Sequence, residues 1–121
     1  MEGYGLIFIA IILTVLAQLV MKWQVGLAGP APDELQARIL YFVRVLMSPW
    51  VIAAFAAAFG VALAWILILN KYELSWAYPF MSLTFPLVVF SSALLFQEQL
   101  SWLKVFGVSL IVVGVALQAM G

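Results

Sequence analysis

The sequence predicts an all-α membrane protein: four transmembrane helices, with a short amphipathic interfacial helix between the first and the second. Composition leads there first. The 121 residues are 68% hydrophobic and only 8% charged, against about a quarter charged in an average soluble domain, and the mean hydropathy is +1.22. Length agrees, because a span needs about 20 apolar residues, and four such stretches with short connections use nearly all of the chain, leaving no room for a soluble catalytic domain. Punctuation is the third observation, since proline, glycine and charge clusters fall between the apolar stretches.

The first span reads from Tyr4 to Val25. It starts without a basic leader and without a small-residue cleavage site after it, so it is expected to be a retained helix and not a signal peptide. Thr14, Gln18 and Lys22 recur every four residues and share one helical face. Such a polar stripe is expected to face the bundle interior. Gly26, Gly29, Pro30 and Pro32 then end the helix.

Between Asp33 and Ser48 the pattern becomes amphipathic. Asp33 is the expected N-cap, Glu34 sits in the first turn, and Leu35, Ile39, Phe42 and Leu46 form an apolar row opposite Ala37, Tyr41 and Arg44. The segment reads as an interfacial helix with Arg38 and Arg44 near lipid phosphates, or as an N-terminal extension of the second span kinked or started at Pro49.

The second span, Pro49 to Leu69, is rich in alanine and includes Gly60. Small residues let backbones approach, so this helix is expected to be central and tightly packed. A polar turn at Asn70 to Glu73 leads into the third span, Leu74 to Phe96, where Pro79 and Pro86 invite a bend and Tyr78, Ser82, Thr84, Ser91 and Ser92 supply hydroxyls. The fourth span, Trp102 to Met120, carries Gly107 and Gly114 on one face. Arg38, Arg44 and Lys104 fall on one side of the membrane and Lys71 on the other, which favours both termini outside the cytoplasm; a periplasmic amphipathic helix would remove that argument.

Several function classes are excluded by what is missing. With no cysteine and no histidine, no disulfide can form and the usual zinc, haem-thiolate and thiol-nucleophile sites have no ligands. Five basic and five acidic residues balance, which gives no reason to expect nucleic acid. No acid, base, thiol or metal cluster converges, so an enzyme is not expected and no cofactor is implied.

Lys22 is the residue that most needs an explanation, because a cation at membrane depth requires a partner or a ligand. It also reads as a lysine that snorkels to the interface. Gln18 reads as a ligand or as a bond between helices. Trp76 reads as an interface anchor, and Tyr78 as an anchor or a binding residue. Glu98, in the last loop, could cap the fourth helix, pair with Lys104 or Lys71, or meet a cationic substrate group. Gly107 and Gly114 could pack inside the subunit or form a dimer face.

Four helices in this length, the first closing in Val20-Met21-Lys22-Trp23, resemble the small multidrug resistance family of the drug/metabolite transporter superfamily. The last third agrees: Leu94-Leu95-Phe96-Gln97-Glu98 followed by a helix with Gly107 and Gly114 is similar to that superfamily's closing motif, whose glycine face is where two subunits pack. The likeness breaks at Thr14. Proton-coupled multidrug members carry a membrane-embedded glutamate eight residues before the matching lysine, and threonine cannot titrate. Of the acids present, Glu2, Asp33, Glu34, Glu73 and Glu98, none falls inside a span. Met81 also replaces the tryptophan that follows the matching tyrosine.

The chain is more similar to the two small subunits of the bacterial flippase for 4-amino-4-deoxy-L-arabinose-phosphoundecaprenol. That likeness rests on Ala17-Gln18 before Lys22, on Trp65 thirteen residues before Tyr78, on Ala77-Tyr78-Pro79 with Ser82-Leu83, and on Glu98. The resemblance implies a bacterial inner-membrane subunit that moves a polyprenyl-phosphate-linked sugar lipid for lipid A modification. Lys22, Gln18, Thr14, Tyr78, Ser82, Thr84, Trp65 and Glu98 are its candidate substrate-binding residues. Its expected partners are membrane lipids and a second subunit, in a homodimer or a heterodimer with a related chain joined through Gly107 and Gly114. Two rivals keep the fold: a small multidrug or cation exporter, disfavoured by the missing membrane carboxylate, and a non-transporting subunit of a membrane complex.

Overall fold

The computed structural model describes residues 2–121. The expectation that Glu2 stands outside the spans concerns a side chain outside the described part. Helix α1 runs Glu2–Ala28, α2 Leu35–Leu46 and α3 Pro49–Lys71; the third span is α4 Leu74–Ala77, a 3-10 helix Tyr78–Leu83 and α5 Thr84–Leu95, and α6 is Trp102–Met120. Four of these stretches, Gly3–Ala28, Pro49–Lys71, Leu74–Leu95 and Trp102–Met120, are long and apolar enough to cross a membrane. The molecule is a multi-pass membrane protein.

At about 1.5 Å per residue α1 is about 40 Å long, more than the roughly 30 Å of a hydrocarbon core, so its last turns reach the interface. It ends three residues beyond the expected Val25. Gly26 stays helical, and the stop comes at Gly29, whose φ of 83° places it in the left-handed region that closes helices. The Gly29 carbonyl accepts the Tyr41 hydroxyl at 2.8 Å, and Arg38 Nε donates to the Pro32 carbonyl at 3.0 Å. These bonds fold the linker back onto α2.

The structure decides between the two readings of the amphipathic segment. α2 is a separate helix, ended at Leu46 with Met47 as C-cap, and Ser48 starts α3 with Pro49 in its first turn. The expected N-cap is corrected: Glu34 occupies that position, and no side chain caps the helix. Asp33 stands one residue ahead, 4.0 Å from Arg38 with both side chains exposed. Tyr41 is buried on the side facing α1, while Leu35, Ile39, Phe42 and Leu46 point outward. In a bilayer that outward row is where an interfacial helix meets lipid.

α1 and α3 are antiparallel and make the most extensive helix pairing. Ile7, Ala10, Ile11 and Val15 on α1 and Val51, Ala54, Ala64 and Ile68 on α3 are buried. One core cluster joins Ile7, Ile11, Val15 and Ile68 to Ala77, Phe80 and Val115, and so ties α1, α3, the third span and α6 together. The expectation for the second span is corrected: α1 is the helix that touches both α3 and the third span, α3 packs mainly on α1, and Ala53, Ala56, Ala58 and Ala62 are exposed. The two prolines lie where the third span changes helix type. Pro79 sits in the first turn of the 3-10 stretch, and Pro86 sits in the first turn of α5, where its missing N–H breaks no intrahelical bond.

Candidate functional site

Thr14, Gln18 and Lys22 form a stripe along α1, turning about 40° per step. It does not face the interior. Thr14 is half-buried, Gln18 and Lys22 are exposed, and the buried row is Ile7, Ile11 and Val15. The interior of this single chain is filled by branched apolar side chains, and among the described residues no polar or charged side chain is buried. The stripe instead borders the α1–α3 seam, where Gln18, Met21, Ala54, Phe55 and Ala58 line a groove of about 210 Å³. The Thr14 hydroxyl, the Gln18 amide and the Lys22 ammonium make no hydrogen bond or ion pair among the described residues. Three unpartnered polar groups on one outward face are available to a ligand.

Trp65 and Tyr78 are brought together, with ring centroids 5.9 Å apart at 75°. Trp65 is half-buried and Tyr78 exposed; Ser82 and Thr84, on the 3-10 helix and at the start of α5, are half-buried. This group is not adjacent to Lys22. Trp23 of α1 meets Trp50 of α3, with centroids 5.3 Å apart, and Trp65 lies fifteen residues further along α3, about 22 Å away along the axis. One chain therefore carries two polar stations at different depths.

Glu98 is exposed in the last loop, at the Lys22 end of the bundle, since Leu95 and Phe96 line one groove with Val20 and Trp23. It caps nothing: the N-cap of α6 is Ser101, whose Oγ accepts the Lys104 N–H at 3.2 Å. The Lys104 ammonium donates to the Gln99 carbonyl at 3.0 Å and does not meet Glu98. Gly107 borders a groove of about 380 Å³ between α5 and α6 with Phe85 and Val89. A Cβ at Gly107 or Gly114 would meet nothing within 4 Å, so neither glycine serves close packing inside the subunit.

Two polar residues, Gln24 and Ser48, escaped the sequence reading, and they stand beside Arg44, which it placed near lipid phosphates. Gln24, Arg44 and Ser48 line a cleft of about 310 Å³ where α1, α2 and α3 meet. Gln24, a second glutamine near the end of an apolar helix, was the available signal. Gln118 on α6 also holds a buried amide nitrogen with no partner among the described residues.

The chain is 44% identical over 72 residues to ArnE of Aeromonas hydrophila, a protein named as a subunit of the 4-amino-4-deoxy-L-arabinose-phosphoundecaprenol flippase; the match covers 60% of this chain. It spans 63% of the length of that relative and of its Aeromonas salmonicida counterpart. Longer matches are named as subunits of the same flippase. ArnE of Pseudomonas fluorescens is 34% identical over 113 residues, 93% of this chain and 92% of the relative. The ArnF subunit of Serratia proteamaculans is 32% identical over 122 residues, 95% of this chain and 90% of the relative. No family model matches the chain, and no solved structure matches it. Identity of this order along almost the whole length of both chains, on a four-span helical fold, places this protein in the family of the small ArnE and ArnF flippase subunits.

Proposed function

We infer that the protein is an inner-membrane subunit of a lipid-linked sugar flippase, which translocates 4-amino-4-deoxy-L-arabinose-phosphoundecaprenol or a similar polyprenyl phosphosugar for lipid A modification. The observation that carries this reading is the unpartnered Lys22 at the end of the outward stripe of Thr14 and Gln18. A phosphodiester anion cannot enter hydrocarbon alone, because desolvating an unpaired charge costs several kcal/mol or more. Lys22 supplies the compensating cation. Gln18 and Thr14 supply hydrogen-bond donors to phosphate and sugar, and Tyr78, Ser82 and Thr84 with the Trp65 ring continue a polar path at the second depth. The isoprenoid tail stays in the bilayer, and Glu98, at the Lys22 end, receives the amino group of the sugar. The chain moves a lipid and breaks no bond.

Four helices with an apolar core do not enclose such a path, and the stripe faces outward, so a second subunit completes it. Relatives named both ArnE and ArnF favour a heterodimer of related chains. The open face at Gly107 and Gly114 is the proposed contact, and oppositely oriented subunits would give the inverted-repeat geometry that alternating access uses. The test is transbilayer movement of the aminoarabinose lipid in proteoliposomes, with this chain alone and with a related partner subunit. Movement with the partner is expected; its absence in both preparations would overturn the reading.

A further inference from the structure

The polar cleft where α1, α2 and α3 meet has no part in the proposed translocation path. Gln24 lies two residues beyond Lys22 on α1, about 200° around the helix, so a head group on the Lys22 stripe cannot also enter this cleft. Two of its side chains hold spare donors. The Ser48 hydroxyl donates to Gln24 Oε1 at 2.9 Å, which leaves the Gln24 amide hydrogens without an acceptor. The Arg44 guanidinium has no hydrogen bond or ion pair among the described residues, since Asp33 lies beside Arg38 instead. Ser48 stands at the N-cap of α3 and caps nothing with its side chain, but α1 ends at Ala28 in the same cleft and α2 ends just beyond Arg44, so the helix dipoles offset one another and Arg44 carries the positive charge.

A second cavity says what kind of anion this is. Val45 separates the polar cleft from an apolar one of about 440 Å³, bordered by Met21, Val25, Phe42 and Leu46. Adjoining cationic and apolar clefts beside an interfacial helix match an amphiphile with a phosphate and a hydrocarbon chain. A free phosphate would have no use for the second.

We propose that the cleft formed by Gln24, Arg44 and Ser48 holds the phosphodiester of an anionic bilayer phospholipid, resident and distinct from the transported lipid. Arg44 grips the phosphate oxygens as a fork, as guanidinium does with phosphate; Gln24 Nε2 donates a further bond, and an acyl chain runs along the apolar cleft past Val45. The lipid thereby ties α2 to the bundle at the membrane surface.

Native mass spectrometry of the whole protein released from neutral detergent, titrated with phosphatidylglycerol and with phosphatidylcholine, tests this without any translocation step, so it is decided separately from the flippase reading. Phosphatidylglycerol is expected to bind at least tenfold more tightly than phosphatidylcholine. Arg44→Gln should abolish that preference and Arg44→Lys should reduce it less. Gln24→Glu, which keeps the side-chain size and brings a carboxylate into the cleft, should weaken phosphatidylglycerol by tenfold or more, while Lys22→Gln leaves it unchanged. Unaltered binding in both Arg44→Gln and Gln24→Glu, with helical circular dichroism intact, would overturn the proposal. Displacement by inorganic phosphate at equal concentration would also overturn it, in favour of a free-anion site. Displacement by undecaprenyl phosphate that depends on Arg44 would overturn it too, by giving the cleft to the transported lipid.

Discussion

At the end of the bundle where α1 begins, an aromatic cluster packs ring on ring; at the end where α1 finishes, hydrogen bonds such as Ser48 to Gln24 stand beside polar side chains whose donors stay spare. Tyr72 stacks on Trp76 at 5.1 Å, Trp76 packs edge-on against Phe80 at 4.9 Å, and Tyr4 meets both Trp76 and Phe80. The Tyr72 hydroxyl accepts the Gly3 N–H at 3.2 Å, one of the helix-start donors that have no intrahelical partner. At the other end Lys22, Gln18 and Arg44 keep their donors spare. In a bilayer, hydrocarbon is as apolar as a side chain and burial alone does not hold helices together, so packing and hydrogen bonds must. The aromatic end is closed by ring packing, and the cationic end keeps polar donors without partners among the described residues.

Substitutions can break or sharpen that division. Phe80→Ala removes a buried ring from the core cluster and should cost about 3 kcal/mol in a steric-trapping or detergent-unfolding measurement, the low end for large aromatic truncations. Gly3→Ala comes next. Its Cβ would lie 2.5 Å from Tyr72 ring carbons, an overpacking expected to cost about 2 kcal/mol by the same measurement. Gln118→Leu should act in the opposite sense, because it removes a buried donor without a partner among the described residues, and a gain of about 1 kcal/mol is expected. Asp33→Asn, at the cationic end, should change unfolding by less than about 0.5 kcal/mol, since its pair with Arg38 is long and exposed. A cost at Asp33 rivalling that at Gly3 would erase the distinction between the two ends.

The same division explains what could be read in the sequence. Starts and stops marked by local chemistry were legible: Pro49 opens α3, Trp102 and Met120 bound α6, and Pro79 and Pro86 break the third span into three pieces. The end of α1 was misplaced because Gly26 and Gly29 look alike in sequence, and only the second takes a positive φ. Asp33 and Glu34 are adjacent acids, and the cap position falls on the one whose backbone leads into the helix. The orientation of the Thr14, Gln18 and Lys22 stripe was inverted for a different reason. In water a polar row faces solvent and in lipid it faces protein; here branched apolar side chains fill the interior of the single chain, and the proposed second subunit would be what the row faces. The Gln24 and Ser48 cleft depends on a bond between residues 24 positions apart, which no local pattern encodes. Trp65 and Tyr78 were read together from the resemblance and do meet, while their distance from Lys22 needed the antiparallel register of α1 and α3.

The most direct measurement is the rate of transbilayer movement of aminoarabinose-phosphoundecaprenol in proteoliposomes holding this chain and its partner, compared among Lys22, Lys22→Arg and Lys22→Gln. A cation that carries the phosphodiester requires movement to persist in Lys22→Arg and to fall by at least tenfold in Lys22→Gln, with folding unchanged. Equal rates in Lys22 and Lys22→Gln would contradict it and leave Lys22 as a lysine that merely reaches the membrane surface.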